Sequence, residues 1–295
     1  MLLLAHGSPD RVEEIPEFLR YVTGGRGLPE PVVKEVQHRY SLIGHSPLTE
    51  ITLKQAAGVE RELGVRTYVG MRNWKPFVAD TLKKMQADGV ERAVAICLAP
   101  HNSQTSVGLY RATLEGAPFP IDFVDSWHDD PLLIKAFADR LIHGWGAACT
   151  NSGMRLPIIF TAHSVPQRTI ADGDPYESQT KHTAALVAHE AGLVENDWTF
   201  AFQSQGMSGG PWLGPTVEDT IRHMKENGHE GVFIQPIGFV CDHVEVLYDI
   251  DIAFKKFAEE RGMKLWRAES LNDSPLFIKA LADVARGRIE ASVVK

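Results

Sequence analysis

The chain repeats itself, and this constrains its fold more than any other feature. Val78–Glu91 aligns with Val217–Glu230 at an offset of 139 residues, and six of the 14 positions are identical. Each copy reads as a helix leading into an apolar strand that ends near a histidine, His101 in one and His243 in the other. Leu4-Ala5-His6-Gly7-Ser8-Pro9 likewise matches Thr161-Ala162-His163-Ser164-Val165-Pro166, so each half opens on a strand ending in Ala-His. Between these marks, short apolar runs alternate with amphipathic helical stretches. Strands are expected at Leu2–Ala5, Thr67–Met71, Ala93–Leu98, Ile121–Val124, Ile158–Thr161, Phe200–Gln203, Val232–Ile237 and Leu265–Ala268. Helices are expected between them, for example at Leu48–Leu63, Phe77–Ala87, Pro131–Ile142, Tyr176–Ala191, Val217–Glu226 and Ser274–Arg286. Such alternation calls for parallel sheets covered by helices. The eight strands divide four and four near Ala147–Leu156, giving one half over 1–150 and another over 151–295. In open α/β sheets ligands bind beyond the carboxyl ends of the strands, where all four histidines fall.

The run Asp242–Asp251 follows an apolar strand and begins a helix on which Asp242, Glu245 and Asp249 share a face. Carboxylates crowded at a strand end repel one another. They make sense if a cation travels along them. A solvated helix start explains Asp242 and Glu245 equally well, but Asp249 and Asp251 poorly. His163 is either a polar turn residue or an imidazole aimed into a cleft, able to take protons near neutral pH or bind a borderline metal. Glu245, 82 residues later, is brought to the same edge by strand order and would support that histidine's basic form. Arg26, Lys34, Arg39, Tyr40 and Ser46 cluster around the Gly24-Gly25 and Gly44 turns, where guanidinium forks and hydroxyls suit the carboxylates of an anionic ligand. Trp74, Phe77, Tyr110, Trp127 and Trp212 are candidates to wall a flat aromatic ligand, or are core residues.

Several function classes fall away. A net charge of −8 argues against nucleic acid. No apolar stretch approaches the roughly 20 residues of a membrane span, and no basic leader precedes the first strand, so a cytoplasmic location is expected. Cys97, Cys149 and Cys241 lack cluster spacing, which excludes a structural zinc or iron–sulfur site and suits a reducing compartment. Gly206–Gly210 lacks a phosphate-loop pattern, and there is no Gly-x-Ser-x-Gly elbow for a serine hydrolase.

Across nearly its whole length the chain resembles the ferrochelatase family. The matching stretches include Ala5-His6-Gly7-Ser8-Pro9, Arg39-Tyr40-Ser41-Leu42-Ile43-Gly44 with Ser46-Pro47-Leu48, Tyr68-Val69-Gly70-Met71-Arg72 and Leu98-Ala99-Pro100-His101. They continue with Ser126-Trp127, Ala162-His163-Ser164-Val165-Pro166, Gly173-Asp174-Pro175-Tyr176, Gln203-Ser204-Gln205-Gly206, Trp212-Leu213-Gly214-Pro215 and Gly238-Phe239-Val240 with Asp242–Asp249. The resemblance implies an α/β fold of two Rossmann-like domains of the class II chelatase kind, each a four-stranded parallel sheet flanked by helices. It implies insertion of ferrous iron into a porphyrin held between them, with no cofactor beyond the substrate Fe²⁺. It places His163 and Glu245 as the catalytic pair, His6 and Asp249 with them along the metal's route, and Arg39, Tyr40, Ser46, Tyr110 and Arg26 at the porphyrin.

The closest branch is the one that acts on coproporphyrin III and gives coprohaem, with a downstream haem-accepting protein as a possible partner. That branch usually carries tyrosine where this chain has His6. The loop Gly44-His45-Ser46 is one residue short, and Ala253 replaces an outer acidic residue, so the carboxylate path is expected to be short. Insertion of cobalt or nickel into a related tetrapyrrole is the alternative that His6 suggests. A non-catalytic porphyrin carrier is another, although it would need no carboxylate path.

Overall fold

The computed structural model describes residues 1–206 and 210–293. Met207, Ser208 and Gly209, the centre of the glycine-rich stretch, lie outside the described residues.

All eight expected strands form, in two sheets of four. They are β1 (Leu2–Ala5), β2 (Tyr68–Met71), β3 (Ala93–Cys97), β4 (Ile121–Val124), β5 (Ile158–His163), β6 (Trp198–Gln203), β7 (Gly231–Pro236) and β8 (Lys264–Arg267). The helices are α1 (Ile15–Val22), α2 (Glu30–Ile43), α3 (Leu48–Leu63), α4 (Val78–Ala87), α5 (Val107–Ala112), α6 (Pro131–Ser152), α7 (Gln167–Ala171), α8 (Tyr176–Glu190), α9 (Val217–Glu226), α10 (Val244–Leu247), α11 (Lys255–Glu259) and α12 (Pro275–Val293). No described helix is long and apolar enough to cross a membrane.

Every strand pairing is parallel. The orders are β2-β1-β3-β4 and β6-β5-β7-β8, so the repeat seen in sequence is also a repeat of topology. β1 is apolar throughout because it is flanked on both edges and covered on both faces, and each of its residues is buried. β5 holds the same place in the second sheet, its first five residues buried and only His163 reaching solvent. In each sheet the chain changes direction of winding beside that first strand. His6 follows β1 and His163 ends β5, so both stand at a switch point, where an α/β sheet leaves its crevice.

The last helix of each half packs on the other half. α6 lies against α8, β7 and β8, while α12 lies against α3 and β3. The sequence boundary at residue 150 therefore falls inside α6, not in a linker. The periodicity suggests a helix ending at Ile142, yet α6 continues ten residues further, capped at its start by Asp130 and closed by Gly153 in the left-handed conformation. Gly144, a helix breaker by propensity, is instead a contact point. A Cβ there would lie 3.1 Å from the Phe233 ring and 3.5 Å from Ala268 Cα. Close approach to the second sheet holds the helix together where local propensity would let it fray.

Candidate active site

His163 is held by its neighbours before any ligand arrives. Its Nδ1 lies 2.5 Å from the Ser164 carbonyl, which can only accept, so the proton sits on Nδ1 and the Nε2 lone pair points away. The His163 carbonyl accepts the buried Tyr176 hydroxyl at 3.0 Å. Behind the strand end, Gly238 admits Ala162 so closely that a Cβ would stand 2.7 Å from the Ala162 Cβ. Nε2 faces the Glu245 carboxylate at 3.7 Å, with 33% of the histidine side chain and 40% of the glutamate side chain open to solvent.

Glu245 is fixed through its backbone. His243 caps α10, its Nδ1 accepting the Glu245 amide at 3.1 Å. Buried Gln203 donates to the Glu245 carbonyl at 2.9 Å. His243 thus carries its proton on Nε2, the tautomer opposite to His163, and packs edge-on to Phe239. Burial pushes the Glu245 carboxyl up, but the fields of His163, His243 and His6 outweigh it and hold the acid below its usual range. His6 comes from the first half, with Nδ1 donating to the Gly7 carbonyl at 3.0 Å. Burial, reinforced by Arg72, lowers its pKa to about 4, so it is neutral at physiological pH. Three of the four strand-end histidines therefore surround one carboxylate.

The fourth does not. His101 is 2% exposed, bonds Thr183 Oγ1 at 2.9 Å and packs edge-on to Tyr176. It belongs to a polar seam that docks the first half onto α8. There the Asp174 carboxylate accepts Ser103 Oγ and the Gln104 amide, and Gln179 Oε1 accepts the Asn102 amide. The Gly173-Asp174-Pro175-Tyr176 motif serves this seam and, through Tyr176, the back of His163.

The acidic run departs from the single helical face expected of it. After α10 the backbone widens into a π-helical turn at Asp249–Phe254, which resets the register. Asp242 lies before the helix and is consumed by structure, accepting Ser270 Oγ at 2.7 Å and Asn272 Nδ2 at 2.9 Å. Arg267 bonds both Asp242 and Asp251, at 3.3 and 2.6 Å. Asp251, which a solvated helix start left unexplained, is thus a structural anchor. Only Asp249 continues outward from Glu245. It accepts a short hydrogen bond from Ser204, itself held at φ 60, and lies 3.8 Å from Arg39 Nη1. Burial raises the Asp249 carboxyl to about 6.

The residues expected at the porphyrin divide. Lys34, Arg39 and Tyr40 lie along α2, not around glycine turns. Arg39 reaches across to Asp249 and stacks over Tyr248 at 5.0 Å. Tyr40 is 4% exposed, and its hydroxyl bonds Ser8 Oγ at 3.0 Å. The Ser46 hydroxyl is buried with no protein partner. Tyr110 is buried beneath the Arg72 guanidinium at 5.2 Å. Arg26 is exposed, its Nε donating to the Thr23 carbonyl at 3.2 Å. A hollow of about 560 Å³ beside it is lined by Glu17, Arg20, Tyr21, Gly24 and Gly25, so it flanks α1 and does not include the His163–Glu245 pair. Trp127 is core, its indole donating to the Cys97 carbonyl and its ring against Phe277. Sequence reasoning assigns Arg72 no role beyond its place in the Tyr68–Arg72 stretch. Its Nε is buried without a partner, and its charge acts on both His6 and Tyr110. A charged residue directly after a buried strand, one place beyond β2, was the available signal.

Known proteins decide what this arrangement belongs to. The family model described as ferrochelatase matches residues 1–289. The chain belongs to the ferrochelatase family. It is 52% identical to a ferrochelatase of Acidobacterium capsulatum, over 99% of this chain and 96% of that one. It is 37% identical to the coproporphyrin III ferrochelatase of a Geobacillus species, over 98% and 97%. Among solved structures it shares its fold with the sirohydrochlorin chelatase of Bacillus subtilis subspecies spizizenii determined in complex with cobalt. That match has TM-score 0.56 at 10% identity, over 97% and 92% of the two chains. As a ferrochelatase the protein is a lyase that inserts iron into a porphyrin.

Proposed function

We propose that this ferrochelatase acts on coproporphyrin III, giving coprohaem, with His163 and Glu245 as its catalytic pair. The observation that carries the catalytic part is the His163 Nε2 lone pair held 3.7 Å from the Glu245 carboxylate, where the fields of His6 and His243 also converge. Metal insertion removes two pyrrole N–H protons as a dication enters, so charge is conserved if a base stands ready. His163 Nε2 takes the first proton. Glu245, ionised at rest, stabilises the imidazolium and then accepts the second proton, which leaves to solvent through its open side. In a flat macrocycle the nitrogen lone pairs lie in the ring plane, away from an approaching ion. Contacts at the rim bend the ring and expose them, using binding energy remote from the reacting centre. Fe²⁺ enters past Asp249 to Glu245, a path that ends early because Ala253 is not acidic. His6 is the first half's neutral imidazole beside that carboxylate, available to the metal.

Support for a tetracarboxylate substrate comes from the Geobacillus relative's name and from the polar rim. Arg39 keeps 41% of its side chain open beside Asp249, and Ser46 and Arg72 hold buried polar atoms without protein partners. A propionate supplies the acceptor that Arg72 Nε lacks. The same reading assigns residues 1–150 and 151–295 to the two chelatase domains, a cytoplasmic location, no cofactor beyond the iron, and hand-over of product to a haem-accepting protein. The test is anaerobic turnover of Fe²⁺ with coproporphyrin III and with protoporphyrin IX. At least tenfold higher kcat/KM for coproporphyrin III is expected, and equal or reversed values refute the assignment. A panel of Co²⁺ and Ni²⁺ run alongside tests whether His6 has shifted the metal preference.

A further inference from the structure

A second cluster of donors stands at the seam between the halves, away from Glu245. His128 and Asp129 lie on the loop between β4 and α6, and His182 lies on α8. One donor atom from each lies within 4.8 Å of the others. His128 Nε2 and His182 Nδ1 are 3.3 Å apart. Two imidazole nitrogens bound at about 2.0–2.1 Å to one tetrahedral ion stand roughly 3.3–3.4 Å from each other. The protein thus holds the pair at the separation a shared ion requires.

The tautomer of His128 fits as well. Ser126 Oγ lies within bonding distance of two carbonyl acceptors, Pro100 O at 3.0 Å and Gln179 Oε1 at 2.9 Å, so its one proton is committed to them. Gln179 is oriented with its oxygen inward because that atom also accepts the Asn102 amide at 2.7 Å. The 2.9 Å contact between Ser126 Oγ and His128 Nδ1 must then be donated by the imidazole. Nδ1 carries the proton and the Nε2 lone pair is turned toward His182. An oxygen acceptor behind a histidine's far nitrogen is the usual outer support of a metal ligand. The backbones are also fixed, since Thr183 Oγ1 donates to the His128 carbonyl at 2.8 Å and Trp127 is buried. Asp129 is exposed, with its Oδ1 3.8 Å from His128 Nδ1, so its carboxylate has to rotate toward the Nε2 side to join the ion.

We propose that His128, His182 and Asp129 form a second metal site, for a divalent transition ion of the zinc, cobalt or nickel class. Three protein donors leave the fourth position to water, so the ion exchanges and is not a permanent part of the fold. Imidazole donors favour these ions over magnesium or calcium. An ion there ties the β4–α6 loop to α8, the helix whose Tyr176 holds the His163 carbonyl. The site is distinct from the iron substrate's path and does not depend on how that path is assigned.

Equilibrium dialysis against Co²⁺ with the full-length protein, His182→Ala, His163→Ala and the double variant separates the two sites. We expect His163→Ala to keep one Co²⁺ with an unchanged dissociation constant at the seam, and His182→Ala to weaken that ion more than tenfold. The double variant should retain no tight ion. His182 is solvent-exposed, so a circular dichroism spectrum identical to wild type is expected. His128→Gln, which keeps a polar side chain of similar reach, provides a second test with the same expected loss. Stoichiometry unaffected by His182→Ala, or binding at the seam only at millimolar Co²⁺, would overturn the site.

Discussion

His163 Nε2 and Glu245 Oε1 stand 3.7 Å apart, too far for a hydrogen bond and close enough to hold one ion between them. Each is positioned from behind, the histidine by Ser164 and Tyr176 and the glutamate by His243 and Gln203. Neither spends its reactive atom on the protein. From that separation of supporting and reacting atoms, His163→Ala is expected to lose insertion by at least about 10³-fold, the upper range for a positioned base. Porphyrin should still bind, because no rim residue is touched. Stopped insertion with preserved quenching of porphyrin fluorescence is the expected pair of readouts, and normal turnover refutes the role.

Glu245→Gln keeps the size and the backbone anchors of residue 245 while removing its charge. A fall in kcat of about 10²-fold is expected, with the porphyrin KM within about threefold of wild type, since the loss falls on the transition state and not on binding. A change confined to the porphyrin KM would instead make Glu245 a binding residue.

Asp249 allows a prediction with a definite sign. Its carboxyl is raised from 3.8 to about 6 by burial, so between roughly pH 4 and 6 the folded protein binds a proton that the unfolded chain does not. Stability from this group is complete below the unfolded value and is lost as pH rises through about 6. Asp249→Asn is therefore expected to stabilise the protein at pH 7 by on the order of 1–3 kcal/mol and to make little difference at pH 4. Denaturant midpoints at the two pH values measure this. In catalysis the sign is reversed. Only the ionised carboxylate attracts Fe²⁺, so the wild-type KM for iron should rise as pH falls below about 6. In the variant that KM should be high throughout, without the inflection.

The outline of the fold was legible because parallel strands buried on both faces read as continuous apolar runs, and because the duplication printed the same helix twice. His163, Glu245 and Asp249 were legible for a related reason, since strand ends at the switch point are where ligands sit. What sequence did not reveal came from packing at a distance. The extension of α6 depends on Gly144 meeting Phe233. Asp242 and Asp251 turn away from Glu245 and Asp249 in role because Arg267, on a strand later in the chain, pairs with both carboxylates. The π-helical turn that carries Asp249 and Asp251 has no marker in the residues themselves. Trp127 and His101 resemble ligand-facing residues in sequence, and only the closing of the two halves shows them to be structural.

The Arg267 anchor yields the last prediction. Its side chain is 15% exposed, and its guanidinium joins carboxylates on both sides of α10, Asp242 before the helix and Asp251 after it. Arg267→Met keeps the apolar stem but leaves two half-buried carboxylates without a counter-charge. Removing one member of a buried network costs about 3–5 kcal/mol, and the partial exposure of Asp251 places the expected loss nearer 2–3 kcal/mol. Because α10 carries Glu245 between the two anchored residues, activity should fall more than the folded fraction does. Replacing both partners as well, with Asp242→Asn and Asp251→Asn, removes the repulsion and should recover most of the stability. It should not recover the activity, because no side chain then ties the two ends of the Glu245 segment to each other. Denaturation curves and kcat measured on wild type, Arg267→Met and the triple variant distinguish this from a simple loss of fold. If kcat is recovered together with stability, the anchor is structural only and does not position Glu245.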